Sequence, residues 1–287
     1  MSGAGDISSR LSVLVSLGSY AGALLHATVS GKGRLGPFRI ELPGPLKFRV
    51  SIVAGNMRMH RLIDRTVRAG DTFVDVGANI GYNTLYAVQR VGSTGRVVAI
   101  EPASDNVELL RRQLAANGVR NVTVRDAAAG RTTEQRDLYL RGEVSAVNSL
   151  FPDSCFGPVT SVVRVPVMAL DDLVDGDADV VKIDVEGAEL DVLHGMTRLL
   201  RARPVRLIVE WHPALQVAAG YAADALPRWL IDRGFSVSIA WHTSLEPVTD
   251  ARLASALARL LPGGHSVELL AERRDDGVAH AGDAFRG

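Results

Sequence analysis

Two spacings of apolar residues alternate along the chain. Short runs such as Phe73-Val-Asp-Val76, Arg96-Val-Val-Ala-Ile-Glu101 and Leu207-Ile-Val-Glu-Trp211 are apolar on nearly consecutive positions. Runs of this kind suit strands buried on both faces of a parallel sheet. Between them, apolar residues recur at helical spacing over 83–91, 104–117, 188–201, 222–233 and 250–261. The pattern predicts an α/β fold, a Rossmann-like doubly wound sheet of seven strands at 72–76, 96–101, 122–126, 179–185, 205–211, 235–240 and 266–271. The last strand is expected antiparallel, at or near the edge. Strands at 136–140 and 161–167 flank a loop, 141–160, rich in Ser, Pro and Gly.

The N-terminal part reads differently. Leu11 to Gly31 carries no charged residue, but Leu14, Leu17, Ala21, Leu24 and Leu25 share one helical face and Ser12, Ser16, Ser19 and His26 the other. An amphipathic helix over 9–29, packed on the domain, is expected, with peripheral membrane contact through 11–29 as the alternative. Phe38–Leu42 and Leu46–Val53 each alternate apolar with polar residues around Pro43-Gly44-Pro45, which predicts a β-hairpin, followed by a helix over 57–69. The expected organisation is a helix-plus-hairpin appendage (1–56), a catalytic domain (57–274) and a tail without apolar periodicity (275–287).

Composition narrows the function. Hydrophobic residues make up 47% of the 287, enough for a sizeable core. A formal net charge of zero, without a Lys/Arg run, argues against a nucleic-acid partner. The single cysteine, Cys155, allows no intrachain disulfide and reads as a reduced thiol, consistent with a cytoplasmic, optionally membrane-associated, protein. The oligomeric state leaves no mark on the sequence.

Three stretches bring reactive side chains to strand ends. Asp75-Val-Gly-Ala-Asn-Ile-Gly81 closes the first long strand, at the sheet edge where open α/β sheets bind ligands. Gly77 and Gly81 let backbone approach a ligand, and Glu101, 20 residues after Gly81, is placed to accept hydrogen bonds from ribose hydroxyls. Asn79 stands where the dinucleotide fingerprint has glycine, so an adenosine ligand without a pyrophosphate, such as S-adenosylmethionine, fits better than a nicotinamide cofactor. The second stretch, Lys182-Ile-Asp-Val-Glu-Gly-Ala-Glu189, delivers Asp184 and Glu186, with Glu189 read as a helix cap. In the third, Glu210 and His212 would point to one side of a strand, beside Asp184. His212 is the first choice of base and Asp184 the second, with Glu210 orienting His212. Alternatively Asp184, Glu210 and His212 ligate a divalent metal such as Mg.

These stretches, with Asn117, Asp126-Ala-Ala128, Gly130, Asn148-Ser149 and Leu170-Asp-Asp-Leu173, resemble the FkbM family of S-adenosylmethionine-dependent methyltransferases from about Arg61 to Trp211. The resemblance implies a class I methyltransferase fold and methyl transfer to a hydroxyl of a small molecule, sugar, glycolipid or polyketide. It implies that Asp75, Gly77, Asn79 and Gly81 border the cofactor's methionine part, that Glu101 binds its ribose, and that Asp126-Ala127 lies against adenine. The acceptor is expected to be chosen by the N-terminal helix, the stretch after Pro213 and the 141–160 loop. The rival readings are a nicotinamide-dependent oxidoreductase, a nucleic-acid methyltransferase and a non-catalytic nucleoside-binding module on the same fold.

Overall fold

The computed structural model describes residues 30–141, 147–153, 157–241 and 244–273. The expected helix over 9–29 and the tail from 275 lie outside the described residues.

One sheet organises the chain. Its eight strands run in the order β12-β11-β13-β10-β9-β3-β4-β5: Leu245–Pro247, Phe235–Ala240, Val267–Arg273, Arg206–Trp211, Val180–Ile183, Thr72–Val76, Arg96–Ile100 and Val122–Arg125. From β5 to β10 all neighbours are parallel, so helical crossovers must cover both faces. The strands are accordingly apolar on both sides, with Val180, Val181, Leu207, Ile208 and Val209 all buried. The last long strand, β13, is antiparallel as expected, but it inserts between β10 and β11. The eighth strand is a three-residue edge piece that carries too little apolar pattern to be read from sequence.

Helices α2 (Tyr82–Val91) and α3 (Ser104–Ala116) follow β3 and β4, as their spacing predicts. The single helix expected over 188–201 is two, α5 (Glu189–His194) and α6 (Thr197–Ala202), separated at Gly195. A Cβ at Gly195 would meet the Gly130 carbonyl oxygen at 1.9 Å, so close packing between the two glycines sets this break. A second sheet, β6-β8-β7 (Ala128–Gly130, Val159–Ala169, Glu134–Arg141), contains the two extra strands foreseen plus β6, too short to announce itself. Between β8 and β9 lies one helical turn, α4 (Leu170–Leu173).

The hairpin needs correcting. Its strands are β1 (Lys32–Leu35) and β2 (Phe38–Glu41), turning at Gly36, whose φ of +59° favours glycine. The segment read as its second strand belongs to a helix, α1 (Leu46–Thr66), which also passes through the expected domain boundary at 56. The alternation over 46–53 was misleading because Leu46 and Val50 are exposed. The buried face is carried further along by Met59, Leu62, Ile63 and Thr66, at helical spacing. Among the described residues no helix is long and apolar enough to cross a membrane.

Candidate active site

The turn after β3 is held from below. Asp75 is fully buried; its Oδ2 accepts from Thr84 Oγ1 at 2.7 Å and its Oδ1 lies 3.1 Å from Lys182 Nζ. Lys182, 1% exposed, also donates to the Gly77 carbonyl at 2.9 Å and reaches Asp184 Oδ2 at 3.4 Å. Burial pulls the Lys182 pKa down, but the Asp75 and Asp184 carboxylates outweigh it and hold the ammonium above its ordinary range. Asp75 therefore braces the turn and is not among the residues lining the cavity above it.

Gly77, Asn79 and Gly81 do line that cavity or cap its helix. Gly77 has φ +76°, and a Cβ there would stand 1.9 Å from the Asp184 backbone oxygen. Its smallness joins the ends of β3 and β9, a tighter demand than the approach to a ligand expected of it. At Gly81 a Cβ would strike Leu110 Cδ1 at 2.3 Å, so this residue seats α2 against α3. Asn79 is left-handed too, with φ +51°, and its side-chain oxygen accepts from Ile80 N at 2.6 Å.

The cavity, about 310 Å³, opens at the carboxyl ends of β3, β4, β9 and β10. Glu101 forms one side. Its Oε2 accepts from the Asn79 N–H at 2.9 Å, and its Oε1 from Ala103 N at 3.1 Å and Asn106 Nδ2 at 3.0 Å. Burial raises the Glu101 pKa against those hydrogen bonds. Ala127, Ala128 and Ala129 line the wall beside it. Asp126 does not: its exposed side chain pairs with Arg111 at 2.8 Å, because at the end of β5 the residue turns outward.

On the other side Asp184, Glu186 and Glu210 converge, with carboxylate oxygens within 4.8 Å of one another. Glu186 Oε2 and Glu210 Oε2 are buried without a hydrogen-bond partner. Burial, then the charges of Asp184 and Glu189, push the Glu186 pKa well up; burial, then Asp184 and Glu186, do the same to Glu210. Glu186 has a left-handed φ of +54°, and Ser149 Oγ donates to its carbonyl at 2.7 Å. Glu189 does not cap the helix as expected: it is the first residue of α5, and its Oε1 accepts from Val185 N at 3.2 Å and Gly187 N at 3.0 Å, bracing the turn that precedes the helix.

His212 is not with them. The strand ends at Trp211, Pro213 opens α7 (Pro213–Ala218), and His212 Nδ1 accepts from Leu215 N at 3.3 Å as the cap of that helix. It does not line the cavity. The cluster expected from Asp184, Glu210 and His212 is instead Asp184, Glu186 and Glu210. Sequence reasoning also missed Glu268, Ser266 and Arg58, which line the same cavity. Glu268 is the one charge in the buried part of β13, residues 267–271, a signal that becomes readable only once β13 is known to pair with β10. Asn148, from the expected specificity loop, contributes to the wall, as do Ile52, Asn56 and Met59 of α1.

The Methyltransferase FkbM domain matches residues 75–237. The AMB antimetabolite synthetase AmbE of Pseudomonas aeruginosa is 31% identical over 217 residues, covering 60% of this chain but only 10% of the synthetase. The hexuronic acid methyltransferase AglP of Haloferax volcanii is 29% identical over 170 residues, 58% of this chain and 66% of that protein. The crystal structure of the methyltransferase FkbM from Methylobacillus flagellatus KT aligns with a TM-score of 0.45 at 17% identity, covering 79% of this chain and 54% of the other.

Proposed function

The chain belongs to the methyltransferase FkbM family, and from that premise we propose that it moves a methyl group from S-adenosylmethionine to a hydroxyl oxygen. The acceptor is a small molecule, sugar, glycolipid or polyketide-type product. The reading rests above all on one observation: Glu101, fixed beside Asn79, and the Asp184–Glu186–Glu210 cluster face a single cavity from neighbouring strand ends.

The lining suits this cofactor. Glu101 Oε1 already accepts two hydrogen bonds, but Oε2 accepts only one and keeps a site that a ribose hydroxyl can use. The alanine wall at 127–129 offers an apolar surface for adenine, and the carboxylates opposite complement a sulfonium charge. When bound, the cofactor supplies an electrophilic methyl carbon. The protein's part is to align the acceptor oxygen, exclude water and take the hydroxyl proton. With His212 off the cavity, Glu210 is the base of this reading. Its raised pKa makes it a stronger proton acceptor than an ordinary carboxylate, and Asp184 and Glu186 keep it so.

A divalent cation is a variant of the same reading. Three converging carboxylate oxygens are hard ligands, and Asp184, Glu186 and Glu210 would hold the ion and help activate the acceptor oxygen. Turnover that survives a strong chelator removes this variant. The AglP match, a hexuronic acid methyltransferase by name, favours a sugar hydroxyl within the acceptor classes.

Calorimetric titration with S-adenosylmethionine and with NAD tests the cofactor: binding of NAD alone overturns the proposal. Incubation with labelled S-adenosylmethionine and lipid and small-molecule extracts, followed by mass analysis, identifies the acceptor. A label appearing on nitrogen or carbon would refute hydroxyl transfer.

A further inference from the structure

Charge is unevenly distributed along this neutral chain. Residues 30–68, the β1–β2 hairpin and α1, carry nine Lys or Arg and two Asp or Glu, whereas the whole sequence has 32 of each kind. Lys32, Arg34, Arg39, Arg61, Arg65 and Arg68 are exposed. Of the two acids, Asp64 is ion-paired with Arg90 at 2.7 Å.

Helix α1 also exposes apolar side chains. Leu46, Val50 and Met57 of α1 are 49%, 47% and 53% exposed. At 100° per residue these three and Arg61 fall within about 60° of arc on the helix. The buried side of α1 is elsewhere, at Met59, Leu62 and Ile63. An exposed apolar stripe among basic side chains is the composition of a surface that lies in the headgroup region of an anionic bilayer. A nucleic acid would use the charge and leave the stripe in water, and a neutral protein groove would use only the stripe.

We propose that α1 and the hairpin dock on an anionic lipid surface, with Leu46, Val50 and Met57 entering the headgroup layer and the basic side chains facing lipid phosphates. Helix α1 also walls the cavity through Ile52, Asn56 and Arg58, so docking brings the cavity to the membrane. On the methyl-transfer reading, the acceptor class is then a lipid-linked hydroxyl. The docking itself does not depend on that reading.

The test is cosedimentation of the full chain with phosphatidylcholine vesicles, with and without phosphatidylglycerol. Binding is expected only with the anionic lipid and should weaken as salt rises. Arg61→Ala and Arg65→Ala should each lower the partition about fivefold, and Leu46→Glu with Met57→Glu should lower it further. Thermal midpoints and calorimetric affinity for S-adenosylmethionine should stay unchanged in these variants, which separates failure of docking from failure of the cofactor assignment. No binding to anionic vesicles overturns the proposal. So does binding that persists in the α1 variants but disappears on Leu17→Glu and Leu24→Glu, which would assign it to residues 11–29. Tighter binding to a duplex oligonucleotide, insensitive to Leu46→Glu, would assign the charge to nucleic acid and overturn it equally.

Discussion

Glu210 of β10 and Glu268 of β13 stand directly opposite each other in an antiparallel pair, two carboxylates in register at the edge of the cavity. Like charges so placed repel. Arg58 of α1, ion-paired with Glu268, offsets the repulsion and ties α1 to the sheet. Burial raises the Glu268 pKa and Arg58 opposes that rise. Arg58→Met should therefore cost about 3 kcal/mol at neutral pH, the scale for orphaning one member of a buried pair. Glu268→Gln in the same chain should recover most of the loss. Urea unfolding of the two single variants and the double variant measures this.

Glu101 joins the ends of two strands through one carboxylate. Glu101→Gln would turn an amide N–H₂ toward either Asn79 N or the Ala103 and Asn106 donors, leaving unmatched donors in a buried place. Affinity for S-adenosylmethionine should fall roughly 10- to 100-fold, equivalent to about 1.5–3 kcal/mol for hydrogen bonds to a charged group. Calorimetry reads it directly, and an unchanged affinity would exclude Glu101 from the cofactor site.

Two glycines with positive φ should behave differently. Gly118→Ala meets nothing within 4 Å and carries only its backbone penalty at φ +63°, about 1 kcal/mol. At Gly77, Ala would add a Cβ 1.9 Å from the Asp184 carbonyl oxygen, so the strand ends must separate. About 3–5 kcal/mol and most cofactor binding should be lost. Equal effects at the two sites, by denaturant unfolding, would contradict the close approach.

The acidic cluster should make the ligand-free protein less stable as pH rises. Burial raises Glu189 from the ordinary 4.5 of a glutamate to about 7. The unfolded chain therefore releases this proton first, and the stabilisation present below pH 4.5 is lost as pH climbs through 7. Glu186 and Glu210 are raised as well and act in the same direction. Glu210→Gln should flatten the slope, raise the thermal midpoint above neutrality and depress methyl transfer by 10² or more. A variant with unaltered pH dependence of unfolding would show that Glu210 ionises freely in the folded protein.

His212 supplies a control. As a helix cap its loss in His212→Ala should cost about 1 kcal/mol of stability. Turnover should stay within a few-fold of the parent, and His212→Asn should restore the cap. A hundredfold loss of turnover at intact cofactor affinity would return this residue to the chemistry.

What could be read in advance followed from local rules. The apolar runs at 73–76, 97–100 and 207–209 must be buried on both faces, so a parallel sheet with helices on each side was accessible without coordinates. Residues leaving such strands at their carboxyl ends, Asp75, Glu101, Asp184 and Glu210, were placed at one edge by the same reasoning. The errors fell where a local pattern fits two outcomes. Leu46–Val53 alternates like a strand, yet its continuation into the buried face of Met59, Leu62 and Ile63 makes it helical. Placing His212 beside Glu210 assumes that the strand continues, although Pro213, a frequent first helical residue, signals its end.

The order of residues along the chain thus determined which side chains arrive at the ligand edge, because strand burial and chain direction are properties of short segments. Which of them face the cavity was decided by tertiary structure alone. A side chain at a strand end takes its direction from the turn that follows, as in the left-handed Glu186 or the capping His212. Its charge state depends on burial and on neighbours such as Asp184 beside Glu210, which only strand pairing brings across the sequence.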